Sequence, residues 1–394
     1  MQAKLKTYLV GGAIRDRLLG IEVKDRDFVV VGSTPEQMKT LGYQQVGADF
    51  PVFLHPVTHE EYALARTERK TGSGYHGFSV DFSADVTLEE DLRRRDLTIN
   101  AMAEDDDGLL IDPYGGQQDL GKKQLRHVSE AFREDPVRIL RTARFAARFN
   151  YLGFTVAADT LVLMTDMVTS GEAGHLVPQR VWQEWQNALL GKDPQVFIQV
   201  LRHCGAYRII APELDRRYLN DADFCPGKRG EDALKIASTL SSVGEIRLAA
   251  LLCASLADEA FSPSETRRLI DEFCHRLTVP KSWYQLACLV AQHHQHCHQA
   301  LTLTAPELLA LLEQSDAFRR PERFEHFLTA CAADYRSRHS GDDPETAYPQ
   351  AALLQKAYSA TKAIEVKPLI EQGLRGPAIK LALHEQRLQA LTEI

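Results

Sequence analysis

Leu9-Val10-Gly11-Gly12-Ala13-Ile14-Arg15-Asp16 and, a short way on, Asp25-Arg26-Asp27-Phe28-Val29-Val30-Val31 decide the reading of this chain. The run from Phe28 to Val31 is aromatic and β-branched, which predicts a buried strand. Side chains alternate along a strand, so Asp25 and Asp27 share one face, about 6 to 7 Å apart. Two hard carboxylates so placed suit divalent cations of the Mg²⁺ kind, which keep water while binding phosphates. Gly11-Gly12 stands between a strand over 5–10 and a helix opening near Ala13. Glycine leaves backbone N–H groups open to a phosphate there, at a helix end that favours negative charge. No Gly-Lys-Ser/Thr follows, which excludes a P-loop. Each half alone reads as a tight turn or a solvated Asp-x-Asp. The two together read as a phosphate and metal site.

The chain around this block has 394 residues, more than one hydrophobic core usually serves, so two or more domains are expected. Its apolar content of 44% is enough to fill them. The sequence has no apolar run of membrane-spanning length and opens on the polar Met-Gln-Ala-Lys-Leu-Lys, so a soluble, cytoplasmic protein is expected. Seven cysteines, Cys204, Cys225, Cys253, Cys274, Cys288, Cys297 and Cys331, are scattered over the second half without a Cys-x-x-Cys pair. Reduced, buried thiols are expected, and a zinc site is not. A net charge of -8 does not exclude a nucleic-acid partner, because binding follows local charge.

Strand and helix signals alternate up to about residue 128: strands over 5–10, 27–31 and 60–66, and a helix from about 35 with a Ser33-x-x-Glu36 capping box. Asp107-Gly108 predicts a hairpin turn between Ile99–Ala103 and Leu109–Ile111. Lys70 to Gly77 is the most glycine-rich stretch and reads as a surface loop. From about 129 only helical periodicities remain. The fold class is therefore α+β: an α/β head with a mixed sheet over 1–128, a helical neck over 129–219, a helical body over 220–337 and a helical tail over 338–394. Asn220 to Gly230 and Arg338 to Pro349 are the linker candidates.

Glu134, Arg138, Arg141, Arg144 and Arg148 recur at steps of four, three, three and four, which puts them on one face of a neck helix. A purely structural face would intersperse acids among four arginines, so the stripe is expected to meet phosphates or bases. Asp135 accepts and Arg138 donates, and such a pair can hydrogen-bond a base edge. Arg15, early in the first helix, is placed to reach a cradled phosphate or to pair with Asp16 or Asp27. Glu61 is a candidate third carboxylate. His293-His294-Gln295-His296-Cys297-His298 lacks a metal-site spacing and reads as a partly exposed helical cluster.

Leu9 to Val31 resembles the signature of the polymerase-β-type nucleotidyltransferases, in the form carried by bacterial class II CCA-adding tRNA nucleotidyltransferases. Arg94-Arg95-Asp96-Leu97-Thr98-Ile99-Asn100-Ala101-Met102-Ala103 is similar to that family's second motif. Asp112-Pro113-Tyr114-Gly115-Gly116 through Leu125-Arg126-His127-Val128 is similar to the segment leading to its neck, and Phe132 through Arg148 to its base-selecting helix. The likeness covers roughly the first half of the chain.

It implies attack of a tRNA 3′-hydroxyl on the α-phosphate of CTP or ATP, so that CMP, CMP and AMP are added without a nucleic-acid template. Asp25 and Asp27 would be the catalytic metal ligands, with Mg²⁺ as the cofactor. Gly12, Arg15, Arg95, Asp96, Asp135, Arg138, Arg141 and Arg144 would bind nucleotide, with Asp135 and Arg138 selecting the base and Asp96 orienting the nucleotide. The implied partners are tRNA, CTP and ATP, and neither DNA nor a membrane. The glycine-rich loop favours a complete CCA adder. Related chains carry a histidine–aspartate phosphohydrolase domain behind the neck. Here Ala254-Ser255 stands where His-Asp would be expected, so a helical relic without phosphatase activity is expected. A bacterial poly(A) polymerase, a partial adder and a non-catalytic tRNA-binding paralogue are the competing readings.

Overall fold

The structure is a computed structural model that describes residues 5–46, 52–70, 78–81, 83–218, 225–257, 261–339 and 347–394. Two compact units form: Met1–Trp185 with Val196–Ile209, and Gln186–Gln195 with Ile210–Ile394.

The first unit opens β1 (Lys6–Val10), α1 (Gly12–Leu18), β2 (Asp27–Val31), α2 (Pro35–Thr40), β3 (Gln44–Val46), β4 (Val52–Leu54), β5 (Glu61–Leu64), β6 (Thr67–Lys70), β7 (Phe78–Asp81) and α3 (Leu88–Arg93). It continues with β8 (Ala103–Glu104), β9 (Leu110–Ile111), α4 (Gly116–Lys122), β10 (Gln124–Leu125), α5 (Val137–Phe149), β11 (Thr155–Val156), α6 (Ala158–Thr169) and α7 (Pro178–Leu189). Seven strands make one sheet in the order β3-β4-β5-β2-β1-β8-β9. It is mixed, because β2 and β5 run parallel while its other pairs are antiparallel. Val29 packs with Tyr8, Val10 and Leu92, whereas its neighbour Val30 packs with Met38, Phe53 and Leu64. Both faces of β2 are thus covered, which explains its unbroken apolar run.

Several local expectations shift. The helix near 35 is capped by Thr34, with Gln37 completing the box, rather than by Ser33 and Glu36. Pro35 at the first helical position fixes the cap one residue later. The Asp107-Gly108 hairpin forms between β8 and β9, with Gly108 at φ +81, but Thr98–Asn100 is a 3₁₀ turn rather than strand. Glu134 ends a 3₁₀ turn and Asp135 is extended, so neither lies on α5. Proline at 136 disfavours helical backbone in the residue before it and sets the start of the helix. The short β11, paired parallel with β10, is a strand beyond residue 129 that the helical periodicity hides. The stretch 71–77 lies outside the described residues.

The chain goes on through α8 (Gln195–His203), α9 (Tyr207–Ile210), α10 (Pro212–Asp215), α11 (Pro226–Leu240), α12 (Gly244–Leu256), α13 (Pro263–Arg276) and α14 (Lys281–His298). It ends with α15 (Ala305–Gln314), α16 (Pro321–Arg338), α17 (Pro349–Lys362), α18 (Lys367–Glu371) and α19 (Pro377–Thr392). α12 is buried from Ile246 to Leu256 and packs against α11, α14 and α16. The proposed linker at Asn220 to Gly230 is corrected in its second half, while 219–224 lie outside the described residues. From Pro226 it is helix, and a Cβ at Gly230 would stand 1.9 Å from Ser255 Oγ. Glycine there serves close helix packing, not flexibility. All seven cysteines are buried and free. The histidine cluster is helical and partly exposed as expected: His293 and His294 are buried, His298 is half-buried and His296 is exposed.

Candidate active site

One cavity of about 570 Å³ lies within the first unit, and the sequence motifs converge on it. Its floor is the edge where β1, β2 and β5 meet. The register pairs Val10 with Asp27 and Asp27 with Glu61, so two carboxylates stand on adjacent strands at one level. Phe28 and Tyr62, the next pair along, stack at 4.5 Å and fix that level. Both acids line the cavity. Asp25 does not share a strand face with Asp27, because β2 begins at Asp27, leaving Asp25 in the exposed segment before it. The two remain close enough to interact. Burial raises the Asp27 carboxyl above its ordinary range, Asp25 adds to the rise and Arg95 opposes it.

The glycine turn works sterically. Gly11, at φ +70, gives its N–H to the Met102 carbonyl at 3.1 Å, and a Cβ there would lie 2.9 Å from Arg95 Nη1. Glycine therefore admits the Arg95 guanidinium beside the floor. Gly12 begins α1, which has only seven residues, so its dipole is weak support for an anion. Arg95 is held by Asp91 Oδ2 at 3.2 Å, at the end of a helix that Thr87 and Glu90 cap.

Arg15 lines the cavity and makes the ion pair with Asp16 that its position in the motif allows. It is 3% exposed, bonds Asp16 Oδ1 at 2.8 Å and Asn100 Oδ1, and lies under the rings of Phe145 and Phe149. Burial lowers its pKa against the opposing pull of Asp16. It thus borders the cavity while bracing α5 through those rings. Asp96 is likewise committed: Oδ1 accepts from Leu97 N at 2.8 Å and Asn100 Nδ2 at 3.0 Å, and Oδ2 from Arg141 Nε at 2.7 Å. Burial alone would raise its carboxyl, but Arg141 and Asn100 outweigh burial and hold it well below the usual range. Asp96 orients Arg141, not a ligand directly.

The arginine stripe forms the opposite wall, with Arg138, Arg141, Arg144 and Arg148 all reaching the cavity. The acids absent from its own face come from elsewhere. Asp96 serves Arg141, Glu184 serves Arg144 at 2.5 Å, and Asp16 serves Arg148 at 2.8 Å. Arg138 Nη1 donates to the Ala131 carbonyl at 2.8 Å. Asp135 accepts from Val137 N at 3.0 Å and is gripped by Arg180.

Arg180 and Glu184 are the residues that sequence reading missed. They lie four apart on α7, opposite the buried Val181, Trp182 and Trp185, and that spacing of a cation and an acid was the available signal.

The poly(A) polymerase head domain matches residues 7–126, and a probable RNA- and SrmB-binding site of polymerase A matches 153–217. A multifunctional CCA protein of Thioalkalivibrio sulfidiphilus is 52% identical over 99% of this chain and 98% of its own length. That of Aliivibrio salmonicida is 48% identical over 98% of both. Among solved structures, a CCA-adding enzyme complexed with CTP is 25% identical with a TM-score of 0.65, covering 99% of this chain and 88% of that one. A Thermotoga maritima CCA-adding enzyme complexed with tRNA shares the fold at 23% identity and a TM-score of 0.64, covering 99% of this chain and 88% of that one.

Proposed function

We propose, for a chain that belongs to the family of multifunctional CCA proteins, that its cavity transfers CMP, CMP and AMP in turn from CTP and ATP to the 3′ end of tRNA. It is a nucleotidyltransferase enzyme of α+β fold, and its chemistry uses a divalent metal. The observation that carries the finer reading is the placement of the Asp135–Arg138 pair and the Asp27–Glu61 pair on one cavity. One end can read a base while the other faces a triphosphate.

The residues fit a hard cation. Asp27 and Glu61 stand in register on adjacent strands and offer carboxylate oxygens to the cavity, the donors that such a cation prefers. Asp25 and Asp27 would hold Mg²⁺, with Glu61 in register as the third carboxylate. Such an ion eases ionisation of the attacking hydroxyl and neutralises charge on the triphosphate. Gly12 leaves the floor clear of a side chain, and Arg95 beside Gly11 contacts the phosphates. Asp135 accepts from a base amino group while Arg138 donates to its ring nitrogen or carbonyl, the complement of cytosine or adenine. Arg141 and Arg144, held by Asp96 and Glu184, support the nucleotide, and Arg15 keeps α5 in place behind it.

No described helix is long and apolar enough to cross a membrane. With tRNA as substrate, we place the enzyme in the cytoplasm. We read the division of labour as head over 1–128, neck over 129–219, body over 220–337 and tail over 338–394.

The test is extension of tRNAs ending at the discriminator base, at C and at CC, with Mg²⁺ and each nucleotide singly or together. Growth by C, C and A followed by a stop is expected. Incomplete addition would mark a partial adder, long A tails a poly(A) polymerase, and binding without extension a non-catalytic paralogue.

A further inference from the structure

Asn100 lines the cavity from the 3₁₀ turn Thr98–Asn100 and is 6% exposed. Its side chain joins two ion pairs from distant parts of the chain. Oδ1 accepts from Arg15 Nη1, and Nδ2 donates to Asp96 Oδ1 at 3.0 Å. Arg15 pairs in turn with Asp16, which holds Arg148, while Asp96 holds Arg141. One unbroken polar path therefore runs from Arg148 through Asp16, Arg15, Asn100 and Asp96 to Arg141. It leaves α5 at one arginine and returns to it about two turns away. The Asn100 carbonyl also accepts from Arg95 Nη1 at 3.4 Å.

A primary amide is the one neutral group in that path. The Arg15 guanidinium only donates and the Asp96 carboxylate only accepts, so the residue between them must offer an acceptor on one side and a donor on the other. Asparagine does both with one short side chain. Without it a buried cation and a buried carboxylate, whose charges already act on one another, would be drawn together. Arg15 would then leave Asp16, and Asp96 would leave Arg141. The amide is thus a spacer that stops two ion pairs from exchanging partners.

We propose that Asn100 is a positioning residue for the nucleotide: it keeps Arg15 and Asp96 apart, so that Arg141 stays aimed into the cavity, and its carbonyl steadies Arg95. The proposal rests on the reading of the cavity as a nucleotide site. Arg95 and Arg141 serve parts of the nucleotide that CTP and ATP share, whereas Asp135 and Arg138 read the base. Loss of Asn100 therefore weakens both nucleotides alike and leaves base choice intact.

Aspartate at this position gives the role a signature. Protonated, it has the shape of the amide and the same single donor and single acceptor; ionised, it sets a second carboxylate against Asp96. The charged groups around it are Arg15 and Asp16 of α1, Arg95 and Asp96 beyond α3, and Arg138, Arg141 and Arg148 of α5. A lower pH therefore restores the native pattern in Asn100→Asp, which a purely steric role would not do.

Equilibrium dialysis of CTP and ATP against the full-length protein, with single-turnover CMP and AMP addition to tRNA, tests this from pH 8 to pH 6. Asn100→Ala should weaken both nucleotides about tenfold, as loss of one charged hydrogen bond allows. Its tRNA affinity and its discrimination against UTP and GTP should equal those of wild type. Asn100→Asp should be as weak at pH 8 and approach wild type at pH 6. If Asn100→Ala fails to fold, the isosteric Asn100→Asp still decides. An Asn100→Asp affinity that keeps a constant ratio to wild type across this range overturns the proposal, as does normal nucleotide binding or altered base choice in Asn100→Ala. Wild type that binds neither CTP nor ATP would instead overturn the reading of the cavity, and the proposal with it.

Discussion

Arg180 holds Asp135 by both of its terminal nitrogens, Nη1 to Oδ1 at 3.2 Å and Nη2 to Oδ2 at 2.7 Å. The carboxylate is therefore aimed before any base arrives. An acceptor that could rotate would accept from a guanine or uracil edge turned to suit it. A clamped one offers a fixed pattern, and geometry of this kind underlies discrimination between bases.

Arg180→Ala should thus loosen base choice more than it slows transfer. Charged hydrogen bonds contribute about 1.5–3 kcal/mol, and partial exposure discounts this one to about 1. A fivefold to tenfold rise in UMP and GMP misincorporation relative to CMP and AMP is expected, about what 1 to 1.4 kcal/mol allows. Arg138→Ala should do the same and more. Single-turnover reactions with each nucleotide measure both, and unaltered discrimination in the two variants would count against the templating role.

Asp27→Ala should remove transfer to background while leaving tRNA affinity unchanged, since the side chain serves the cation. Glu61→Gln removes charge and keeps shape. Loss of about 10–100-fold is expected, partly restored by higher Mg²⁺, as for other residues that tune a metal site. Rates measured across a Mg²⁺ titration, alongside filter binding of tRNA, separate these outcomes. A Glu61→Gln enzyme with normal rate and normal Mg²⁺ requirement would leave β5 a merely structural strand.

Asp96 links acidity to stability. Its folded carboxyl lies below the ordinary value near 4, so its contribution is complete above that pH and is lost as pH falls through and below it. Asp96→Asn leaves Arg141 without its buried acid and should cost about 2–3 kcal/mol at pH 7, less than a fully buried pair because Arg141 is partly exposed. Urea unfolding of wild type and variant from pH 7 to pH 3 should show their midpoints converging below pH 4. A gap that stays constant over that range would refute the assignment.

No phosphodiesterase activity is expected from this chain. Ala254 and Ser255 are 0% and 2% exposed, and neither can bind a metal as a histidine and aspartate do. Hydrolysis of bis(p-nitrophenyl) phosphate with Mg²⁺, Mn²⁺, Ni²⁺ or Co²⁺ should stay at the protein-free rate. Metal-dependent turnover that survives Asp27→Ala would contradict the idea of a catalytically silent relic.

Local pattern carried the reading of the head. β2 was legible because three valines follow Phe28, and the fold buries both of its faces as that run implies. The base-reading helix was legible from its arginine spacing, yet its compensation was not, because Asp16, Asp96 and Glu184 are far off in sequence and near only after folding. Alternation puts Asp25 and Asp27 on one strand face, whereas the strand starts at Asp27; alternation predicts faces but not where pairing begins. Arg15 shows the same limit. Its position in the motif suggests a ligand, and only the packed rings of Phe145 and Phe149 reveal a brace.

The brace reaches across a boundary that the sequence draws at about residue 128. Arg15 under two phenylalanines, Arg148 on Asp16 and Arg141 on Asp96 each join a residue before that line to one after it. Head and neck are consequently a single heritable part. A chimaera spliced at 128 would separate three matched partnerships at once and strand buried charge on both sides, so natural recombination and protein engineering alike must exchange the whole of the first unit or leave it intact.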